Sequence, residues 1–235
     1  MQHDMGSVRG RAVLDFLRHR LKFPHTAQYD TKQFWEMSYA SAVRPHEWGC
    51  AGDKLLSYAF RDASTHRPAA GAPGAGTLAA DCAEDGRLLL LGGGTSALGG
   101  DLRRAGWRSV AAVDFSEVAV DLGKRREPEV AWQLGDGRDL GATYAAGSFD
   151  AVLDKGTVDA IYLSAGPDHA ADVGRVAASA ADVLVSRGTF AVLSLSRPAY
   201  LWPLLVGDKR WDLPASEVRD LGFIYLYLLR KRRSG

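Results

Sequence analysis

Four short segments bring together residue types that can hold a nucleoside cofactor. The first, LLLLGGGTS over Leu88–Ser96, runs an apolar stretch into three glycines, and glycine lets the backbone turn tightly and lie against a ligand with no β-carbon in between. Gly92 and Gly94 are the candidate contacts. Taken alone, the triplet equally fits a flexible turn or the phosphate loop of a nicotinamide enzyme. The second segment is Val113-Asp114-Phe115-Ser116. Its carboxylate follows the glycines by about twenty residues, the interval at which an acid reaches ribose hydroxyls. Phe115 can lie on an adenine face or pack in the core, and Ser116 is placed to cap a helix. In the third, Gly135-Asp136-Gly137, the aspartate can accept from an adenine amino group, and it can equally be a turn residue. The fourth, SFDAVLDKGTVDA over Ser148–Ala160, sets Asp154, Lys155 and Asp159 at the end of an apolar run. Asp154 or Asp159 can orient a reacting amine, while Asp159 can also cap the helix that follows.

The elements around these segments are those of a repeated strand–helix unit. Strands are predicted at Arg87–Leu91, Ser109–Val113, Val130–Leu134, Phe149–Asp154 and Thr189–Leu195, each followed by turn chemistry, which implies five parallel strands. Between the last two, Asp168 can cap a helix carrying Val173, Val176, Ala177, Ala180, Val183 and Leu184 on one face, with Gly188 ending it. Trp211–Leu213 and Phe223–Leu229 then read as a late antiparallel hairpin at the sheet edge. Three regions separate by composition: residues 1–60, aromatic and charged; residues 61–86, an Ala/Gly/Pro-rich loop; and residues 87–235, the α/β core. One structural domain is expected overall.

Twenty-nine Lys and Arg nearly cancel 28 Asp and Glu, so no global field draws the chain to nucleic acid or to an anionic membrane. The two cysteines, Cys50 and Cys82, lie far apart, and the histidines form no paired motif, which speaks against a disulfide framework or a zinc site. No apolar run approaches the length of a membrane span. The stretch from Val8 to Phe23, with five cations among apolar residues, is read as a basic solvated helix. Its alternative is a mitochondrial presequence, against which Asp4, Asp15 and the scarcity of serine count. A cytoplasmic location is expected, with a mitochondrial one as the alternative.

The run LDKGTVDA closely resembles the segment after the fourth strand in the methyltransferase-like family that modifies elongation factor 1A, and in the related citrate synthase lysine methyltransferases. LGGGTSAL, VDFSEVAV and GFIYLYLL resemble further motifs of that family, and FWEMSY with Glu47-Trp48 is similar to its N-terminal aromatic segments. The resemblance runs from Tyr29 to Leu229, with the Ala/Gly/Pro stretch as an insertion. It implies a Rossmann-like class I methyltransferase with a mostly parallel seven-stranded α/β sheet and a late antiparallel strand. The implied cofactor is S-adenosyl-L-methionine, and the implied acceptor is a lysine of a protein substrate, elongation factor 1A or citrate synthase. By the same resemblance Trp35, Tyr39 and Trp48 cover the methionine end, and Gly92 lies beneath it. Asp114 and Phe115 hold ribose and adenine, Asp136 and Gly137 hold the adenine edge, and Lys155 lines the methyl-transfer pocket. Two positions depart from the family pattern: Ser38 stands where an arginine precedes the tyrosine, and Gly93 replaces the commoner cysteine.

Other readings compete. A nicotinamide oxidoreductase would show GxGxxG, whereas the glycines here run GGGTS and the chain ends in a late strand pair. An inactive scaffold of the same fold is a third reading, against which Asp114, Asp136 and Lys155 argue; a small-molecule or RNA acceptor is the alternative to protein lysine.

Overall fold

The computed structural model describes residues 29, 31–42, 47–48, 86–164, 168–222 and 224–233. The basic segment 8–23, residues 61–85, both cysteines and Phe223 lie outside the described residues. Helix α1 (Lys32–Ala40) comes first, followed by β1 (Arg87–Leu91), α2 (Leu98–Arg104), β2 (Ser109–Asp114), α3 (Glu117–Arg126), β3 (Ala131–Leu134) and β4 (Phe149–Lys155). Then come α4 (Thr157–Tyr162), α5 (His169–Val183), β5 (Leu184–Ser194), α6 (Pro198–Leu205), β6 (Glu217–Asp220) and β7 (Tyr225–Arg230).

The seven strands form one α/β sheet in the order β3-β2-β1-β4-β5-β7-β6, with β7 antiparallel to both its neighbours and the other contacts between β1 and β5 parallel. Side chains alternate across a strand, so the four leucines of β1 feed two cores. Leu88 and Leu90 face one, with Leu98, Leu102 and Trp132; Leu89 and Leu91 face the other, with Val173, Val176 and Ala180 of α5. Burying both faces is what turns the strand into an unbroken apolar run. Each of these leucines contributes roughly 1.5–3 kcal/mol relative to exposure.

Helix α3 has its start written into it. The Ser116 hydroxyl accepts from the Ala119 N–H at 3.1 Å, Glu117 occupies the first turn, and Lys124, Arg125 and Arg126 occupy the last, all in the favourable sense for the helix dipole. At α5 the predicted apolar face is buried, but the Asp168 side chain makes no capping bond. Nor does Gly188 end that helix: α5 stops at Val183, and β5 begins at the next residue, with Gly188 falling within the strand near a register shift against β4.

The hairpin also needs correction. Its first strand is Glu217–Asp220 rather than Trp211–Leu213. Trp211 makes a single bridge to Lys231 and stacks its buried ring on Phe190, while Pro214 sits in the first turn of a 3₁₀ helix, where its missing N–H costs no hydrogen bond. Leaving the sheet edge to a short charged strand, EVRD, suits its exposure.

Candidate functional site

From β1 the chain winds outward through β2 to β3 and then returns to place β4 on the other side of β1. The segments leaving the carboxyl ends of β1 and β4 therefore diverge, and a ligand crevice opens there. A cleft of about 930 Å³, counting its mouth, occupies this position. Its wall takes in the glycines 92–94, Asp114 and Phe115, Asp136, Gly137 and Arg138, and Lys155 to Thr157, with Tyr29, Trp35, Tyr39 and Trp48 on the N-terminal side.

The glycine turn is built for close approach. Gly92 and Gly94 have φ of +58° and +54°, a region costly for any residue with a side chain. A β-carbon on Gly92 would lie 1.8 Å from Thr157 Oγ1, and one on Gly94 would lie 2.8 Å from Tyr39 Oη. The Thr157 hydroxyl donates to the Leu91 carbonyl at 3.1 Å, which ties the turn to the head of α4. Gly93, the departure from the family cysteine, leaves the space that the Trp132 ring fills.

Asp114 is buried at 4% exposure, one oxygen accepting from the Gly94 N–H and the other from the Ser116 N–H, both at 2.8 Å. Burial pushes its carboxyl up to about 6, against the pull of those backbone donors. A carboxylate oxygen has two acceptor sites, so each keeps one for a ligand hydroxyl. Phe115 stands beside it, partly buried.

Asp136 is less free than its sequence suggests. The N–H, Nε and Nη2 of Arg138 all donate to it, at 2.7–3.0 Å, and Arg138 reaches on to Asp172 at 3.1 Å. Burial pushes the Asp136 carboxyl up, but the Arg138 hydrogen bonds and charge outweigh it and hold the group below the usual range. The arginine two residues on, in D-G-R, was the available signal for this pairing.

The aromatic segment forms a lid wall. Trp35 and Tyr39 stack with centroids 5.3 Å apart, and Trp48 meets Trp35 and Tyr29 edge-on at 6.4 and 6.1 Å. Trp35 donates its indole N–H to the Tyr29 carbonyl at 2.6 Å, while Trp48 lies on Gly156 and donates to Asp159 at 3.1 Å. Burial raises the Tyr39 phenol well above its ordinary value, so it remains a neutral hydroxyl. Two acids fasten this wall to the core. Glu36 accepts from the N–H groups of Glu117 and Val118 at the head of α3, and Glu47 accepts from Ser96 Oγ, the Ala97 N–H and Lys155 Nζ. Neither was singled out from the sequence as a site residue. An acid next to a tryptophan, as in Trp35-Glu36 and Glu47-Trp48, was the available sign.

Asp154 does not do what was expected of it. It is fully buried behind the cleft, and its carboxylate accepts from the N–H groups of Gly156, Thr157 and Val158, which caps the start of α4 instead of facing an acceptor. Burial, reinforced by the charge of Asp159, pushes it up to about 7 despite those bonds. Asp159 is buried too. It accepts from Trp48, from the Leu195 N–H at 2.8 Å and from the hydroxyls of Ser194 and Ser196, so it joins α4 to the end of β5. Among the described residues, no cluster of His, Cys, Asp and Glu could hold a metal ion, and no helix is long and apolar enough to cross a membrane.

Comparison with known proteins puts names beside this geometry. A methyltransferase domain family matches residues 89–192. EEF1A lysine methyltransferase 4 of Mus musculus is 30% identical over 222 residues, covering 88% of this chain and 78% of that protein. The Bos taurus protein of the same name is 31% identical over 185 residues, covering 73% and 64%, just under two thirds of that relative's length. The eEF1A lysine and N-terminal methyltransferase of Danio rerio is 32% identical over 115 residues, covering 47% of this chain and only 16% of that protein. Among solved structures, a SAM-dependent methyltransferase from Methanosarcina mazei matches with a TM-score of 0.53 at 13% identity, over 66% of this chain and 96% of that one. A putative S-adenosyl-L-methionine-dependent methyltransferase from Methanococcus maripaludis gives 0.53 at 13%, over 64% and 80%. At those identities the likeness is one of fold.

Proposed function

The chain belongs to the family of S-adenosylmethionine-dependent methyltransferases that includes EEF1A lysine methyltransferase 4, and we propose that it methylates a lysine on a folded protein, elongation factor 1A first and citrate synthase second. The observation that carries the cofactor half of this reading is the order of groups along the strand ends. Asp136 follows β3, Asp114 ends β2, the glycines follow β1 and Lys155 ends β4. Three strand intervals of about 4.8 Å give a span of roughly 14 Å, suited to an extended nucleoside–amino acid. The residues fit the parts of that ligand. Asp114 keeps acceptor sites for a ribose diol, Phe115 offers an aromatic face to a base, and the two positive-φ glycines leave no side chain between backbone and ligand.

S-adenosylmethionine, when bound, supplies a methyl group on a positively charged sulfur that departs as a neutral thioether. What this chain adds is position and dryness. Trp35, Tyr39 and Trp48 close one side of the cleft with rings whose faces favour a cation. With a rigid wall holding the acceptor in line, orientation can supply on the order of 7–11 kcal/mol, more than one acid–base group usually gives. With Asp154 and Asp159 both committed to backbone and hydroxyl donors, no described carboxylate stands ready as a base. An acceptor amine is instead made neutral by desolvation against Trp48, Ala160 and Ile161. The relatives' names support a lysine of elongation factor 1A as that acceptor.

The test offers elongation factor 1A, citrate synthase, total RNA and a small-molecule pool to the enzyme with labelled methyl donor. Label in a protein lysine is expected. Label confined to RNA or to small molecules would overturn the lysine reading.

A further inference from the structure

At the end of the sheet away from the cleft, three segments bring cations together. On β5 the register against β4 passes from Leu184 opposite Phe149 to Thr189 opposite Ala151, so residues 185–188 bulge out of the ladder and expose Arg187. Arg187 has a φ of +65°, and among the described residues it alone takes that left-handed region without being a glycine. The end of β7 lies against this bulge: Arg230 Nη1 donates to the Arg187 carbonyl at 3.0 Å, and Lys231 Nζ to the Leu184 carbonyl at 2.7 Å. The turn after α6 closes the group, because the Arg232 N–H donates to the Arg210 carbonyl at 2.8 Å and its Nε to the Trp211 carbonyl at 2.9 Å. Lys209 and Arg233 extend the group, both exposed.

The neighbouring carboxylates do not balance this charge. Asp182 and Asp208 both pair with Arg210, and the three segments add one further acid, Asp212. A carbonyl fixes the place of an ammonium or guanidinium without neutralising it, so Lys231 and Arg232 are positioned and still charged. The crowding shows at Lys231, whose ammonium is lowered from its ordinary value first by burial and then by the charge of Arg210. No ion pair or side-chain hydrogen bond occupies Arg187, Lys209 or Arg233 among the described residues. A strained arginine where glycine would fit, set among cations that repel one another, costs the fold stability that a bound polyanion offsets.

We infer that this face binds the phosphate backbone of duplex RNA, as a tether separate from the methyl-transfer site. Arginine predominates, and its planar fork matches a phosphate. Trp211 is buried beneath the group, and Leu213 at its margin is the one exposed large apolar side chain in these segments, so a protein partner finds few anchors. Single strands call for exposed aromatic rings to stack on, and base reading in DNA calls for a projecting helix or ribbon. Cations carried by a bulge, a strand end and a turn reach phosphates only, which is how A-form duplexes are gripped. Leu193 lies opposite Lys155 at the cleft, six residues along β5 from Arg187, which puts the two sites roughly 20 Å apart. A bound duplex therefore leaves the cleft open, and the inference does not depend on what the cleft holds.

The test is fluorescence anisotropy of a labelled RNA duplex of about 20 base pairs, titrated with the full chain at several salt concentrations. Micromolar binding that weakens with salt is expected of the wild type. The double variant Arg187→Gly/Arg233→Gln should lose about tenfold or more in affinity and about two from the salt slope, while melting no lower, because glycine relieves the left-handed backbone. Lys124→Gln/Arg125→Gln removes the same charge from the exposed last turn of α3, on the β3 side of the sheet, and should leave binding within about twofold. Equal losses in the two double variants would reduce the effect to net charge and overturn the inference. So would the absence of RNA binding below about 100 μM, or tighter binding to a DNA duplex of the same length or to phosphatidylserine vesicles.

Discussion

Gly92→Ala tests whether the glycine turn is shaped by its contact with Thr157. A β-carbon there meets Thr157 Oγ1 at 1.8 Å and Thr157 Cβ at 3.0 Å, on a backbone with φ of +58°. The left-handed conformation costs alanine about 1 kcal/mol. Thr157 must also rotate away, which forfeits its 3.1 Å bond to the Leu91 carbonyl, worth about 1 kcal/mol, and strains its rotamer by about another 1 kcal/mol. The single variant should therefore lose about 3 kcal/mol of stability by urea denaturation, and Thr157→Ala alone should lose about 1 kcal/mol for its hydrogen bond. In the double variant the hydroxyl is gone, so only the backbone strain and one lost bond remain, about 2 kcal/mol in place of the additive 4. A coupling of about 2 kcal/mol in the relieving direction is the signature of this contact. Additivity within about 0.5 kcal/mol would refute the reasoning, because it would mean the turn and the head of α4 do not touch.

Two further predictions concern charge. Asp114 and Asp154 are held by burial at about 6 and about 7, above their unfolded values, so the folded chain grips these protons more tightly than the unfolded one does. Their contribution is complete below about pH 4 and is lost as pH rises through 6 and 7, on the order of 3–4 kcal/mol for each at 1.36 kcal/mol per unit. Calorimetric melting of the free protein should show this decline, and Asp154→Asn should flatten its upper part; an unchanged profile in that variant would count against the assignment. Trp48→Ala should weaken S-adenosylmethionine more than S-adenosylhomocysteine, because a desolvated cation–π contact worth up to about 2 kcal/mol acts only on the charged sulfur. Equal losses by calorimetry would reduce the ring to packing.

The sequence states the strands of the parallel core well, and the reason is local. Each carries its own apolar run and its own turn, and β1 is recovered residue for residue because leucines facing two cores leave no room for another period. The late hairpin was misplaced for the opposite reason: an apolar pair, Trp211 and Leu213, looks like a strand, whereas the true strand EVRD is a sheet edge with a single apolar residue, Val218, among charged ones. Tertiary packing settled what local pattern could not.

At the site, the residues that could be named were those whose type is needed wherever the chain folds this way: glycines at a tight turn and an acid at the end of β2. The roles that could not be read are those set by partners remote in sequence. Asp154 and Asp159 look alike in LDKGTVDA, yet one turns inward to cap α4 and the other reaches Ser194 and Trp48, 35 and 111 residues away. Glu47 meets Ser96 and Lys155 across separations of 49 and 108 residues. A carboxylate is a general acceptor, and its function is decided by which donors arrive first. In this fold the backbone takes Asp154, Arg138 takes Asp136, and Trp48, Leu195 and two serine hydroxyls take Asp159, whereas the Asp114 oxygens accept one N–H each, from Gly94 and Ser116.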